Sequence, residues 1–392
     1  MTIYHITFHM SVFHKIRDYR ISKKYFNNMN WIEVKRDAII HNFLHHQNHR
    51  PWSLIIPVLK SNAYGHGLKQ LCQILHKVPQ CTMVAVDSYP EYLSVYHNCK
   101  KDILLLNETE HRNYKYFDHK RVIPWIYTLD TLQILIRSKK PRRIHLFLNT
   151  GMNREWFQLD ELQQALSMLQ WSRIIVDGVM SHFSHADDDD GQSYCDNQVA
   201  KFKEMYALVE QAWFHSQYRH INNSSWFVKN NDHRFNAHRI WKWLYGFMEY
   251  WNTEYAAFGQ WLQYAIDVYS TVIWLQHIKA WEWAWYSHTW HAVQNTTIAT
   301  IPFGYYEWLT RRMSNKWSVL LDEQKCNLVG NISMNICSFE DPTWKVLIWD
   351  VVKIISSDID DANNWLAMSK INDTISREVL VKVHNMIRRK IV

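Results

Sequence analysis

From Trp31 onward, short apolar runs of strand length alternate with stretches in which apolar residues return every three to four positions. The two periods distinguish the elements, because side chains alternate across a strand and recur about every 3.6 residues around a helix. Strand-like runs fall at Leu54–Lys60, Met83–Val86, Ile103–Leu106, Val122–Tyr127, Ile144–Asn149, Ile175–Phe183, His220–Asn223 and Phe235–Trp243. Between them, Leu68–His76, Thr131–Ser138, Leu159–Leu169 and Asn197–Ala212 carry the helical period. The third of these opens on Asp160 and Glu161, acidic residues suited to the positive end of a helix. Eight strands, each followed by a helix or a long loop, predict a parallel α/β fold. The simplest closure is an eight-stranded (β/α) TIM-type barrel over residues 31–262. After residue 262 the runs Ala265–Trp274, Ile298–Phe303, Ser318–Leu321 and Val346–Ile355 follow one another with few helical patterns. They predict a mostly β C-terminal domain over residues 263–392.

Residues 1–30 read as a loosely structured N-terminal extension. They carry Lys15, Arg17, Arg20, Lys23 and Lys24 against Asp18, and the apolar stretch Ile3–Phe13 is interrupted by His5 and His9, so a secretory signal is not expected. Composition narrows the class further. With 47% hydrophobic and 21% charged residues the chain can bury a core, which excludes wholesale disorder. No stretch approaches the roughly 18 uninterrupted apolar residues of a membrane helix, so no membrane partner is expected. Forty-four Lys and Arg against 37 Asp and Glu give a net charge of +7, and the basic residues are scattered. No nucleic-acid partner is therefore expected. The six cysteines form no C-x-x-C pair and predict reduced thiols in a cytoplasmic protein. Two counts are unusual: nine Gly in 392 residues, and 21 Trp. Glycine normally makes up roughly 7% of a chain.

The sharpest local feature is Val58-Leu-Lys-Ser-Asn-Ala-Tyr-Gly-His-Gly67. Its lysine ends an apolar strand, where a barrel of this type places its catalytic groups. Flanked by Leu59 and Ala63, Lys60 is expected to be partly desolvated, which favours a nucleophilic amine; the bland alternative is a lysine that snorkels from a strand end. Two other constellations have simpler readings. His41, His45 and His49 are spaced to line one helix face but lack an acidic partner, and are read as a solvated face. Asp188, Asp190 and Gly191 echo a calcium loop, but Ala186 and Asn197 occupy its first and last ligand positions, so a surface acidic loop is expected. No metal is expected.

The decapeptide around Lys60 resembles the pyridoxal-phosphate lysine motif of alanine racemases, fold-type III enzymes. Further segments follow in that family's order: Thr150-Gly-Met-Asn-Arg154, Ser181-His-Phe-Ser-His-Ala-Asp187, His220-Ile-Asn-Asn-Ser224, and Arg239-Ile-Trp-Lys-Trp-Leu-Tyr-Gly246. Then come Trp285-Tyr-Ser-His-Thr289, Thr300-Ile-Pro-Phe-Gly-Tyr305, Val329-Gly-Asn-Ile-Ser-Met334 and Thr374-Ile-Ser376. Seven of the nine glycines, at 65, 67, 151, 178, 246, 304 and 330, fall inside or beside these matches.

The resemblance implies a pyridoxal 5'-phosphate barrel closed by a β domain in a head-to-tail homodimer, interconverting L- and D-alanine and supplying D-alanine for peptidoglycan. Lys60 would bond the cofactor as a Schiff base and act as the base on one face of Cα. Tyr286, reaching in from the other subunit, would act on the opposite face. Arg239 matches the residue facing the pyridine nitrogen, and His182 the one that holds it. Being a donor only, an arginine there leaves the nitrogen unprotonated. Tyr64, Ser224, Trp241, Lys242 and Arg377 fall at phosphate-contacting positions, and Arg154 and Met334 at substrate-binding ones.

Departures accompany the resemblance. Phe147 stands where many members have a lysine that positions the arginine, Asn335 replaces Asp, and Arg377 replaces a tyrosine. Trp241 replaces a glycine, bulky Trp285 and Ser287 flank Tyr286, and Tyr306-Glu-Trp308 replaces Ala-Asp-Gly. They leave two further readings open: a cofactor-binding barrel without turnover, and a racemase for another small amino acid.

Overall fold

The computed structural model describes residues 29–118, 120–140, 142–186, 191–224, 226–229, 232–247, 256–341 and 343–392. The expected N-terminal extension therefore lies outside the described residues except at Met29 and Asn30, and the acidic run Asp187–Asp190 lies outside them entirely. The chain divides into two compact units: residues 32–267, 355–385 and 389–392 form the larger, and residues 29–31, 268–354 and 386–388 the smaller.

In the larger unit eight parallel strands form a ring. They are β1 (Leu54–Pro57), β2 (Met83–Val86), β3 (Asp102–Leu105), β4 (Val122–Ile126), β5 (Arg142–Phe147), β6 (Ile174–Met180), β7 (Tyr218–His220) and β8 (Ala237–Ile240). β2 to β8 follow sequence order up to β7, each parallel to the next. β1 pairs in parallel with β8, from Leu54 opposite Ala237 to Pro57 opposite Ile240. The remaining seams are closed by a parallel bridge between Val58 and Ala85, and by Asn236 N–H donating to the Arg219 carbonyl at 3.1 Å. Alternate residues Ile56 and Val58, Met83 and Ala85, Leu104 and Leu106, and Ile123 and Trp125 pack with Phe147, Met180 and Ala237 in one buried cluster. Alternate side chains of each strand thus form the barrel interior, and the strands, covered on both faces, read as nearly continuous apolar runs.

The predicted helices Leu68–His76 and Leu159–Leu169 form over those residues; the other two begin earlier, at Leu129 and Gln192. Several expected strands end sooner. Pro57 cannot donate to a ladder, and the first strand stops there instead of running to Lys60. The eighth stops at Ile240, so Trp241 and Lys242 do not lie in it: Lys242–Tyr245 is a 3-10 turn ended by Gly246. Gly246 has φ +88°, and a Cβ there would sit 2.2 Å from the Gln263 carbonyl oxygen, so only glycine fits the stop.

The smaller unit is a sheet of short strands: β9 (Ile266–Thr271), β10 (Trp274–Ile278), β11 (Thr296–Ile301), β12 (Ser318–Leu321), β13 (Gln324–Val329), β14 (Cys337–Asp341) and β15 (Val351–Ile355). Their order is β10-β11-β14-β13-β12-β15-β9, and β10 to β15 pair antiparallel. The single run expected over Ala265–Trp274 is two strands, and β13 and β14 carry too many polar residues to be seen as apolar runs. The helices Trp365–Asn372 and Ser376–Val381, where few helical patterns were expected, belong to the larger unit. All six cysteines are free and buried, and no helix among the described residues is long and apolar enough to cross a membrane.

The larger unit also buries an unusual number of imidazoles. On the helix Arg36–His49, His45 and His49 pack against Phe258 while the neighbouring His46 is fully buried. Burial pushes His46, His66 and His238 down to about 3 from 6.5. Such groups stay neutral when folded but bind a proton below pH 6.5 once unfolded, so stability is intact above pH 6.5 and falls as the pH drops toward 3. Each contributes a loss of up to about 1.4 kcal/mol per pH unit in that window. The urea midpoint is therefore expected to fall steeply between pH 7 and pH 5; a midpoint unchanged over that range would show that these histidines are protonated in the folded state.

Candidate active site

At the C-terminal ends of the barrel strands lies a cavity of about 630 Å³, lined by Lys60, Tyr64, Phe147, Arg154, His182, Arg239, Trp241 and Arg377 among others. Residues from seven separate strand ends and from the helix at 376–381 meet there, all within the larger unit.

Lys60 leaves the barrel just past β1. The four residues after it all have left-handed backbone: Ser61 and Asn62 at φ 55°, Ala63 at 54° and Tyr64 at 49°. A left-handed turn costs about 1–2 kcal/mol per L-residue, and strain of this kind persists only where the surroundings fix it. Here the Ser61 N–H donates to Glu91 Oε1 at 2.6 Å, the Gly67 N–H to the Asn62 carbonyl at 2.9 Å, and Asn62 Nδ2 to Asn385 Oδ1 at 2.9 Å. The Lys60 ammonium is 3.6 Å from Asp87 Oδ1, with two-fifths of its side chain exposed.

Tyr64 stacks on Trp241 with ring centroids 5.4 Å apart, and burial, then Asp87, raises its hydroxyl pKa above the ordinary tyrosine range. The Arg377 guanidinium lies over the other component of this wall, 5.4 Å from the Trp241 ring. Ser224 follows β7 but is fully buried, and its Oγ accepts from the Trp241 N–H at 3.2 Å; Asn223 lines the cavity in its place. Lys242 is also buried, 5.7 Å over the Trp241 ring, and does not reach the cavity wall.

Arg239 is nearly inaccessible. Its Nη2 lies 2.9 Å from His182 Nδ1 and 2.8 Å from the Ser181 carbonyl, and its Nη1 lies 2.8 Å from His220 Nδ1. Burial, then Arg154, lowers its pKa to about 9, which leaves it charged at neutral pH. Burial, then Arg239, drives His182 and His220 well below 6.5, so both imidazoles are neutral. Arg154 is half-exposed, bonds Glu155 at 2.5 Å and lies 5.7 Å over Trp156. Phe147, fully buried, stacks on Trp125 at 4.4 Å and packs on Trp156 at 4.4 Å. Where a lysine would have held the arginine directly, an aromatic stack holds the ring beneath it.

In the smaller unit Tyr286 opens a short 3-10 turn and is 71% exposed, so its hydroxyl is available to a second copy. Met334 is also exposed, and Asn335 Nδ2 donates to Glu307 Oε1 at 3.0 Å. Trp308 is buried.

Four cationic side chains, Lys60, Arg154, Arg239 and Arg377, line the cavity, and no carboxylate among the described residues does. That donor set fits an anionic aldehyde such as pyridoxal phosphate: an amine for the aldehyde, and guanidiniums for the phosphate and for a carboxylate. His220, Trp125, Trp156 and Asn223 were missed as site residues in the sequence. His220 and Asn223 lie inside a quoted segment, but the two tryptophans looked like ordinary core.

Fold and cavity together define a two-unit barrel protein with a lysine at a strand end and an anion-binding wall. A family described as "Alanine racemase, N-terminal domain" matches residues 34–249, and "Alanine racemase, C-terminal domain" matches residues 265–391. An alanine racemase of Streptococcus suis is 30% identical over 312 residues, 78% of this chain and 82% of its own. That of Fusobacterium nucleatum is 25% identical over 363 residues, 89% of this chain and 99% of its own. Among solved structures, alanine racemase of Clostridium difficile has a TM-score of 0.83 at 23% identity, covering 93% of this chain and 95% of that one. The Bacillus anthracis alanine racemase with bound L-Ala-P has a TM-score of 0.83 at 23% identity, with 94% and 96% covered. The chain belongs to the alanine racemase family.

Proposed function

We propose that the protein is a pyridoxal-phosphate-dependent alanine racemase that interconverts L- and D-alanine and supplies D-alanine for peptidoglycan. The observation that carries this reading is the cavity itself: Lys60 stands at its floor among three arginines, with no described carboxylate on the wall. When bound, pyridoxal phosphate supplies an electron sink that makes the alanine Cα proton removable.

Lys60 would hold the cofactor through its amine, and that amine is the group placed to take or return a proton at Cα on one face. Tyr286 does the same on the other face, contributed by a second copy in a head-to-tail homodimer, which its exposure supports. Arg239 offers only N–H donors toward the cofactor ring, so it leaves the ring nitrogen without a proton; this weakens the sink and disfavours side reactions that need a long-lived carbanion. His182 accepts from Arg239 and fixes its plane. Arg377 and Tyr64 supply the phosphate grip, with Ser224, Trp241 and Lys242 behind them. Arg154 takes the substrate carboxylate, aided by the backbone of Met334. Reactions of this kind belong in the cytoplasm, where alanine and wall precursors meet.

The test is the visible spectrum of the protein titrated with pyridoxal phosphate, before and after borohydride, with peptide mapping and an alanine racemisation assay. A reducible band mapped to Lys60 together with racemisation is expected. Bonding at Lys60 without turnover would leave a cofactor-binding barrel, and bonding at another lysine would overturn the assignment.

A further inference from the structure

We propose that His145 and Asp177 are positioning residues for Arg239, acting through His220: two directed hydrogen bonds run from Arg239 to His145, and the Asp177 carboxylate stands in electrostatic contact beyond them. This deepens the racemase reading and rests on it. The direction follows from a single fact: a guanidinium can only donate. His220 Nδ1, 2.8 Å from Arg239 Nη1, must therefore accept, and the neutral ring carries its proton on Nε2. That Nε2–H faces His145 Nδ1 at 2.8 Å, which must accept in turn. His145 is then protonated on Nε2, which faces Asp177 Oδ2 at 3.8 Å. One donor-only group thus sets the tautomers of two imidazoles and ends on a carboxylate.

The backbone is built around this chain. The pairing of β5 with β6 slips between Ile144 and His145, which leaves Asp177 as the extra residue on β6, a bulge that re-aims its side chain. Opposite His145 stands Gly178, where a Cβ would lie 2.6 Å from the imidazole. His145 and His220 are fully buried and Asp177 nearly so. Asp177 also faces Arg143 at 3.6 Å, but Arg143 is held more closely by Asp102, at 2.7 Å. The carboxylate polarises His145, which strengthens the acceptor that His220 presents to Arg239. Loss of either residue weakens the hold on His220 and lets the guanidinium turn away from the ring it serves.

The test uses protein labelled with 15N at its histidines, with and without pyridoxal phosphate, as parent, His145→Phe and Asp177→Leu. The parent is expected to show His220 as a single Nε2–H tautomer in both forms. Each variant is expected to keep the Nε2–H form of His220 but with shifted 15N signals, and to lose racemisation roughly tenfold, chiefly in kcat, the lower end of what outer partners of a bound group contribute. Asp177→Leu leaves His145, His220 and Arg239 themselves unchanged should His145→Phe fail to fold. A mixed tautomer in the parent, or variants with unchanged His220 signals or unchanged kcat, overturns the proposal. If the parent bonds no cofactor, the racemase reading fails while the imidazole spectra still decide this one.

A different observation carries a second inference. Six tryptophans, at 213, 281, 285, 308, 344 and 349, have positive φ, a backbone that bulky residues almost never adopt. Trp285, at φ 68° and ψ 179°, lies in a region that is essentially glycine's alone. Except at the buried Trp308, burial does not compensate: Trp213 is 80% exposed and Trp281 73%. Trp241 and Trp308 stand where the family resemblance places glycine, and the chain holds 21 Trp against nine Gly. We infer that these positions are glycine in the protein as its own cells make it. The codon UGA is read as tryptophan in some genetic codes and as glycine in others, so a single reassignment lowers one count as it raises the other. Peptide mass mapping of the protein from its native source is expected to show glycine at 241, 285 and 308, and tryptophan at those positions would overturn the inference. As an independent check, Trp285→Gly is expected to raise Tm, where truncating an ordinary tryptophan lowers it; a fall in Tm counts against it.

Discussion

Lys60→Ala is expected to abolish covalent bonding of pyridoxal phosphate and to lower racemisation by at least about 10⁴-fold, the scale on which a lost base and nucleophile act. The structure isolates the effect. Lys60 lines the cavity with its ammonium 3.6 Å from Asp87, whereas the left-handed turn that follows is held by Glu91, Asn385 and backbone bonds that do not involve its side chain. The variant should therefore fold with the same cavity and bind the cofactor reversibly. Absorption before and after borohydride measures the bond, and added small primary amines should restore part of the rate by standing in for the missing one. A variant that racemised at the parent rate would show that Lys60 is not the acting amine. One that lost the cavity, by loss of near-UV circular dichroism, would show that the side chain supports the turn.

Tyr286→Phe is expected to cost about 10²–10³-fold, the range for one general acid/base. The ring remains and only the hydroxyl is lost, so the strained residues on either side, Trp285 at φ 68° and Ser287 at φ 63°, keep their places. In heavy water the variant should still wash out the Cα proton of one alanine enantiomer, the one presented to Lys60, while exchange of the other and net inversion both fall. Mixing provides the sharper measurement. If each site combines Lys60 of one copy with Tyr286 of another, equal amounts of the two inactive variants should re-form about a quarter of the parent activity after subunit exchange, because half the dimers are mixed and each has one intact site. No recovery in a mixture shown to exchange subunits would place both residues in one chain's site.

Much of this was legible without a structure because the relevant signals are local. Apolar runs of strand length marked all eight barrel strands, since each buries both faces and its apolar residues are neighbours in sequence. Lys60 stood out because a lysine ending an apolar run next to Gly65 and Gly67 has few structural reasons to be there. Strand ends were less legible. The eighth strand was expected to reach Trp243 but stops at Ile240, because Gly246 must turn beneath the Gln263 carbonyl, a contact between segments whose pairing no periodicity reveals.

The sequence by itself determined the barrel, the mostly β second unit and the residues able to do chemistry, because side-chain period and residue type are properties of short segments. Only the tertiary structure decided which of those residues meet. Arg377, from a helix near the C-terminus, comes to lie over Trp241, and residues 355–385 join the barrel unit and not the β unit that precedes them. Arg239, His220, His145 and Asp177 lie on four different strands or their ends and form one chain through the barrel interior. Ring closure and strand shear set those distances, and both depend on all eight strands at once, so no single segment encodes them.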